Sequence, residues 1–140
     1  MTIKQLVSEE EWTLAFPVMK ELRMHLTLQS FIETVNQMTN EGYKLFAIYE
    51  NNEIVGLSGI IFRTNFYYGK HVFVYDLVTT SSVRSKGYGT KLLNYVHQLS
   101  KEQDCKVVAL ESAFSNINAH KFYQMQMGYE KFCYSFKKIL

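Results

Sequence analysis

The sequence predicts a single α/β domain over residues 1–140, a mixed sheet with helices on both faces in the order β-α-α-β-β-β-α-β-α-β. Three observations carry this. Apolar residues recur at helical spacing between Trp12 and Met38, and three runs rich in β-branched and aromatic residues follow between Leu45 and Thr79. Beyond Tyr88, helical stripes alternate with short apolar runs, the pattern of strand, crossover helix and strand.

The first element is a short strand from Ile3 to Val7. Ser8 follows as a helix cap, because its side-chain oxygen accepts an orphan N–H while Glu11 reaches back to the cap. Trp12, Ala15, Phe16, Met19, Leu22 and Leu26 then form an amphipathic stripe, with Pro17 inside it as a point of kink or break. Leu28, Phe31, Ile32, Val35 and Met38 form a second stripe that ends near Gly42, a C-cap.

From Lys44 the period changes. Leu45 to Tyr49 and Ile54 to Phe62 read as a hairpin, because Asn51 and Asn52 between them tolerate positive φ. A turn over Asn65 to Lys70 leads to a third long strand from His71 to Thr79. Tyr88, Leu92, Val96 and Leu99 mark the crossover helix, and Lys106 to Leu110 reads as a parallel strand buried on both faces. Asn116 to Met127 is helical, with Ala119, Phe122, Tyr123 and Gln126 on one side and Gly128 closing it. Phe132, Tyr134 and Phe136 alternate with polar residues as a half-exposed last strand.

Composition removes several functional classes. Fifteen Lys and Arg against thirteen Asp and Glu give a net charge of +2 without a basic run, so nothing marks a nucleic-acid binder. Hydrophobic residues make up 47% of 140, enough for one core. Cys105 and Cys133 lack metal-type spacing and read as two buried free thiols; no metal site is expected. No window has membrane-span or signal-peptide character, which makes a reducing cytoplasm the expected location. His71, at the start of its strand, reads as a surface histidine. The aromatic loop Phe66-Tyr67-Tyr68 suits an acceptor pocket, a packing surface or a homodimer contact.

The stretch Val83-Arg84-Ser85-Lys86-Gly87-Tyr88-Gly89-Thr90 reads either as a basic glycine turn, since glycine-flanked helix starts are common, or as a cradle of backbone N–H groups for a phosphate. A helix N-terminus leaves four N–H groups unpaired and about half a positive charge, so it stabilises an anion. Gly87 and Gly89 let a phosphate approach the backbone closely, and Arg84 and Lys86 add charge. A Walker A loop needs four residues between its first Gly and Gly-Lys-Ser/Thr, which this stretch lacks. The dinucleotide fingerprint needs a third Gly where Leu92 stands and a strand directly before Gly87, although Glu111 mimics its ribose-binding acid.

Arg84-Ser85-Lys86-Gly87-Tyr88-Gly89 resembles the Arg/Gln-x-x-Gly-x-Gly/Ala loop of the GNAT superfamily of N-acetyltransferases. Asn116-Ile117-Asn118-Ala119-His120-Lys121-Phe122-Tyr123, followed by Gly128-Tyr129, resembles that family's second segment. Four residues rather than the usual three separate Tyr123 from Gly128. Within the superfamily, Ala119 to Tyr123, Gly128-Tyr129-Glu130 and Phe136-Lys137-Lys138 look closest to aminoalkylphosphonate N-acetyltransferases.

The resemblance implies acetyl transfer from acetyl-CoA to a primary amine of a small molecule by direct attack in a ternary complex. It implies a pyrophosphate seat on Arg84, Ser85, Lys86, Gly87, Tyr88, Gly89 and Thr90. The pantetheine arm would pair with Leu77, Val78 and Thr79, with Asn116, Ala119 and Phe122 also on the cofactor side. A backbone N–H near Val78 would polarise the thioester. Tyr123 falls on the tyrosine that protonates the departing thiolate. Asp76 is the first candidate base, through water, or a strand carboxylate paired with a cation; Glu111 is the second base candidate. Acetylation of a protein lysine or N-terminus, and a non-catalytic acyl-CoA-binding regulatory role, are the alternatives.

Overall fold

The computed structural model describes residues 1–84 and 86–140, and the chain divides into two compact units, Met1–Ala109 and Leu110–Leu140. The first contains β1 (Thr2–Leu6), α1 (Glu9–Leu22), α2 (Leu28–Asn40), β2 (Lys44–Glu50), β3 (Glu53–Asn65), β4 (Gly69–Thr79), a 3-10 turn (Ser81–Val83) and α3 (Tyr88–Glu102). The fifth strand, β5 (Val107–Leu110), ends one residue past the division. The strands order as β1-β2-β3-β4-β5, and β1 to β4 form an antiparallel meander. The mixed α/β class read from the sequence is the one observed.

Local chemistry explains the elements. Ser8 Oγ accepts the Glu11 N–H at 3.2 Å, and Glu11 Oε1 accepts the N–H groups of Val7 and Ser8 at 2.9 and 3.1 Å. This capping box starts α1, which continues through Pro17 instead of breaking there. Thr27 and Ser30 cap α2 in the same reciprocal way. Its other end is a Schellman closure. Gly42 takes φ +107°, the Gly42 N–H reaches the Thr39 carbonyl at 3.1 Å, and the Tyr43 N–H reaches the Met38 carbonyl at 2.9 Å. Asn51 and Asn52 adopt φ of 50° and 64°, the paired left-handed residues that a two-residue hairpin demands.

The sheet is covered on two faces. Trp12, Ala15, Val18 and Met19 of α1 join Phe31 and Val35 of α2 over Leu45, Ala47 and Leu57. On the other face Tyr88 and Leu92 of α3 meet Ile48 and Val55, and Leu92, Leu93 and Val96 are fully buried. Each fully buried leucine contributes about 2 kcal/mol of transfer free energy.

Four expectations change. Residues 129–140 form no strand, because alternation alone supplies a half-apolar ribbon and a strand also needs a ladder partner. The β5 run is half-buried rather than buried on both sides, since β5 is the last strand in the sheet order. His71 is buried at 1% exposure and its Nδ1 lies 2.9 Å from the Gly69 carbonyl; β4 begins two residues earlier than its apolar run. Cys105 is buried as read, but Cys133 is exposed.

The second unit holds α4 (Ile117–Lys121), which passes directly into a π-helical turn (Phe122–Gln126).

Candidate functional site

The glycine turn opens α3. Gly87 is its N-cap residue, with φ +81° and ψ 11°, and no side chain caps the helix. A Cβ at Gly87 would meet nothing within 4 Å, so the left-handed backbone and not crowding is what requires glycine. Gly87 itself has no side chain to offer the first N–H groups of α3, and among the described residues no side-chain cap is made at this helix start of positive potential. Gly89 and Thr90 lie half-buried in the first turn, and Lys86 is exposed. Ser85 lies outside the described residues.

Two glutamates hold this region. Glu21 of α1 accepts the Ser81 N–H at 2.9 Å and pairs with Arg84 Nη2 at 3.5 Å. Tyr88 is buried, and its hydroxyl donates to Glu50 Oε2 at 3.1 Å. Burial first, and the Glu50 bond second, raise the pKa of that phenol.

β4 supplies the second part. Leu77, Val78 and Thr79 lie opposite Ser58, Leu57 and Gly56 of β3. Just before them the register slips. Gly59 faces Asp76 while Ile60 faces Val74, so Tyr75 is an extra residue without a partner, a β-bulge. Asp76 is 7% exposed and doubly held. Its Oδ1 accepts from Arg23 Nε at 3.0 Å, and its Oδ2 accepts from the Tyr43 hydroxyl at 2.6 Å. Arg23 Nη2 lies 3.0 Å from the same Oδ1 and also donates to the Tyr75 carbonyl at 2.8 Å. Of the two readings of Asp76, the geometry displays the cation-paired carboxylate.

In the second unit, Asn116 caps α4 by accepting the Ala119 N–H at 3.4 Å, and His120 Nε2 lies 2.8 Å from the Ala113 carbonyl. Ala119, Phe122 and Tyr123 are half-buried, whereas Gln126 is exposed. The Met127 N–H bonds to the Phe122 carbonyl at 3.1 Å, a five-residue step. This π turn takes up one more residue than an α-turn, which accounts for the four-residue spacing between Tyr123 and Gly128. Gly128 then turns at φ +73°, and the Tyr129 N–H reaches the Tyr123 carbonyl at 2.8 Å. The Tyr123 ring lies 5.4 Å from Phe122 and 5.8 Å from Tyr129. Burial raises the pKa of Tyr123, and burial together with Tyr123 raises that of Tyr129. Glu111 is exposed and its Oε2 accepts from Ser135 Oγ at 3.2 Å.

Sequence reasoning passed over Arg23, Tyr43 and Glu21. Arg23 and Tyr43 meet Asp76 across 53 and 33 residues, and Glu21 meets Ser81 across 60. A charged residue at a helix end looks solvated from sequence. Only the tertiary fold reveals its partner.

Among the described residues, no group of three or more His, Cys, Asp or Glu side chains could hold a metal ion. Among the described residues, no helix is long and apolar enough to cross a membrane.

The site residues of the first unit thus comprise a left-handed glycine start of α3 and a bulge in β4 just before Leu77–Thr79. Residues 7–129 match the acetyltransferase (GNAT) family, and the chain belongs to that family. A Bacillus subtilis (strain 168) protein named Uncharacterized N-acetyltransferase YhdJ is 39% identical over 137 residues, spanning 97% of this chain and 96% of its own. The chain is an N-acetyltransferase. A GNAT family acetyltransferase of Staphylococcus aureus subsp. aureus USA300_TCH1516 has a similar fold, with a TM-score of 0.82, 23% identity and coverage of 99% and 98%. So does the aminoglycoside N-acetyltransferase AAC(6')-Iy, solved in complex with CoA, with a TM-score of 0.86, 15% identity and coverage of 99% and 93%.

Proposed function

We propose that the whole chain, residues 1–140, acts as one domain that transfers an acetyl group from acetyl-CoA to a primary amine of a small molecule by direct attack in a ternary complex. The observation that carries the donor half is the Gly87 start of α3. Its left-handed φ and its lack of a side-chain cap leave backbone donors for a diphosphate, and open space where a Cβ would stand permits close approach. The family match across residues 7–129 and the CoA complex of a fold relative support the same donor.

In this reading the backbone from Lys86 to Thr90, with Ser85, holds the diphosphate, and Lys86 and Arg84 balance its charge. Arg84 exchanges its contact with Glu21 for the anion. Leu77 to Thr79 align the acyl arm along β4, and a backbone N–H near Val78 stabilises the oxyanion as the amine attacks. Asn116, Ala119 and Phe122 belong to the donor side through their motif. When bound, acetyl-CoA supplies the activated acyl group; the protein orients it and moves protons.

The leaving thiolate needs a proton, and Tyr123 is assigned to supply it. Its raised pKa keeps the phenol protonated at neutral pH. The attacking ammonium must lose a proton, and of the two carboxylates Glu111 is the freer acceptor. Asp76 acts only through water at its remaining lone pair, since its oxygens already accept from Arg23 and Tyr43. The small-molecule acceptor is supported by the likeness of Ala119–Tyr123 and Phe136–Lys138 to aminoalkylphosphonate acetyltransferases.

A panel of acidic, neutral and polyamine primary amines, run beside lysine and N-terminal peptides, tests the acceptor through release of CoA thiol. Turnover of a small amine above all peptides is the expected result. Turnover of peptides alone overturns the acceptor class, and acetyl-CoA binding without any transfer favours a regulatory domain.

A further inference from the structure

We propose that Arg23 is a positioning residue: by gripping the Asp76 carboxylate and the carbonyl of the bulged Tyr75 together, it fixes where β4 resumes and so aims the backbone of Leu77–Thr79. The inference rests on the reading of Leu77–Thr79 as the acyl-donor strand.

A bulge inserts a residue whose backbone groups lose their ladder partners and must be satisfied elsewhere. At Tyr75 the carbonyl is satisfied by Arg23 Nη2 at 2.8 Å, from a residue 52 positions away that closes α1. The same guanidinium holds Asp76, the first residue back in register, at 3.0 Å. One planar fork therefore spans the slip from both of its sides. A lysine has one nitrogen and cannot reproduce the two-nitrogen grip in which Nε and Nη2 both reach Asp76 Oδ1 while Nη2 also holds the Tyr75 carbonyl.

The far side of Asp76 is fixed with equal care. Tyr43 is 4% exposed, its N–H closes α2 on the Met38 carbonyl, and its ring stacks on Tyr75 with centroids 5.9 Å apart. Its hydroxyl donates to Asp76 Oδ2, and burial foremost pushes its pKa well above the ordinary phenol value, so it stays a donor. The ends of α1 and α2 thus converge on one strand slip. Directly after that slip come the three residues whose amides the proposed chemistry needs. Displacing a reacting backbone group by about 1 Å costs about a hundredfold in rate, so a device that holds the slip in place has a direct functional consequence.

The test is amide hydrogen exchange of Leu77, Val78 and Thr79, with and without acetyl-CoA, alongside calorimetry with acetyl-CoA, for the wild type and for Arg23→Lys and Tyr43→Phe. In the wild type, acetyl-CoA is expected to increase protection at these amides. In Arg23→Lys that added protection falls about tenfold while affinity stays within about threefold, and Tyr43→Phe, the mildest change, shifts it in the same direction. Protection of Ala47 and Leu57, deep in the same sheet, stays at the wild-type level. Equal added protection in wild type and in both variants overturns the positioning role and leaves the donor reading intact. A uniform loss that includes Ala47 and Leu57 in both variants makes the cluster merely structural and also overturns it. No acetyl-CoA binding by the wild type removes the donor reading, and this inference with it.

Discussion

The Tyr43 ring occupies the space that a side chain on Gly59 would need: a Cβ built there would overlap the phenol. The ring can donate to Asp76 only because β3 has no side chain beneath it. Gly59→Ala must push the ring out or distort β3, and overpacking of this kind costs about 1–3 kcal/mol. Urea unfolding is expected to show a loss in the upper part of that range, together with loss of activity. Unchanged stability would mean that the ring has room to move.

Gly87→Ala probes the turn with little effect on the core. A Cβ there meets no neighbour, but φ of +81° costs an L-residue about 1–2 kcal/mol. Thermal unfolding is expected to report a loss of that order. Calorimetry with acetyl-CoA is expected to show about tenfold weaker binding, because the helix start no longer holds its open backbone. Wild-type affinity in this variant would separate the glycine from the donor seat.

How much of this was visible in the sequence follows from the range of each interaction. The Ser8–Glu11 box, the Asn51-Asn52 turn and the Gly42 cap depend on residues within a few positions of one another, and all appear where the local chemistry places them. Gly87 was legible for the same reason. The surroundings of Asp76 were not, because Arg23 and Tyr43 reach it through tertiary packing that leaves no local pattern. The alternation from Phe132 to Phe136 misled, since a strand is made by its partner as much as by its own residues. The irregular spacing after Tyr123 was visible as a number, and the π turn gives it a physical form.

Glu11 makes the start of α1 sensitive to acid. Hydrogen bonds from the Val7 backbone, then Lys4, then Ser8 lower its pKa from 4.5 to about 2. A carboxyl whose folded pKa is depressed stabilises the fold fully above its unfolded value and loses that contribution as pH falls toward the folded one. Stability should therefore decline between pH 4.5 and about 2 in the wild type. Glu11→Ala should cost about 1 kcal/mol at neutral pH and flatten that decline. An equal slope in the variant would assign the acid sensitivity to other carboxylates.

Tyr123→Phe keeps the ring contacts with Phe122 and Tyr129 and removes only the hydroxyl. With Tyr123 as the proton donor, kcat falls by about a hundredfold while the acetyl-CoA dissociation constant changes by less than about twofold. Steady-state kinetics paired with calorimetry separate the two effects. An unchanged kcat removes the acid role and leaves Tyr123 as a packing residue.

The central claim is that the Gly87 turn seats an acyl donor whose acetyl group goes to an amine. Release of CoA thiol from acetyl-CoA, followed with the primary-amine panel for the wild type and for Gly87→Ala, tests it most directly. Saturable, amine-dependent release by the wild type, with a KM for acetyl-CoA raised about tenfold in the variant, is the predicted result. Amine-dependent release with the same KM in both proteins, or no release with any amine, would contradict it.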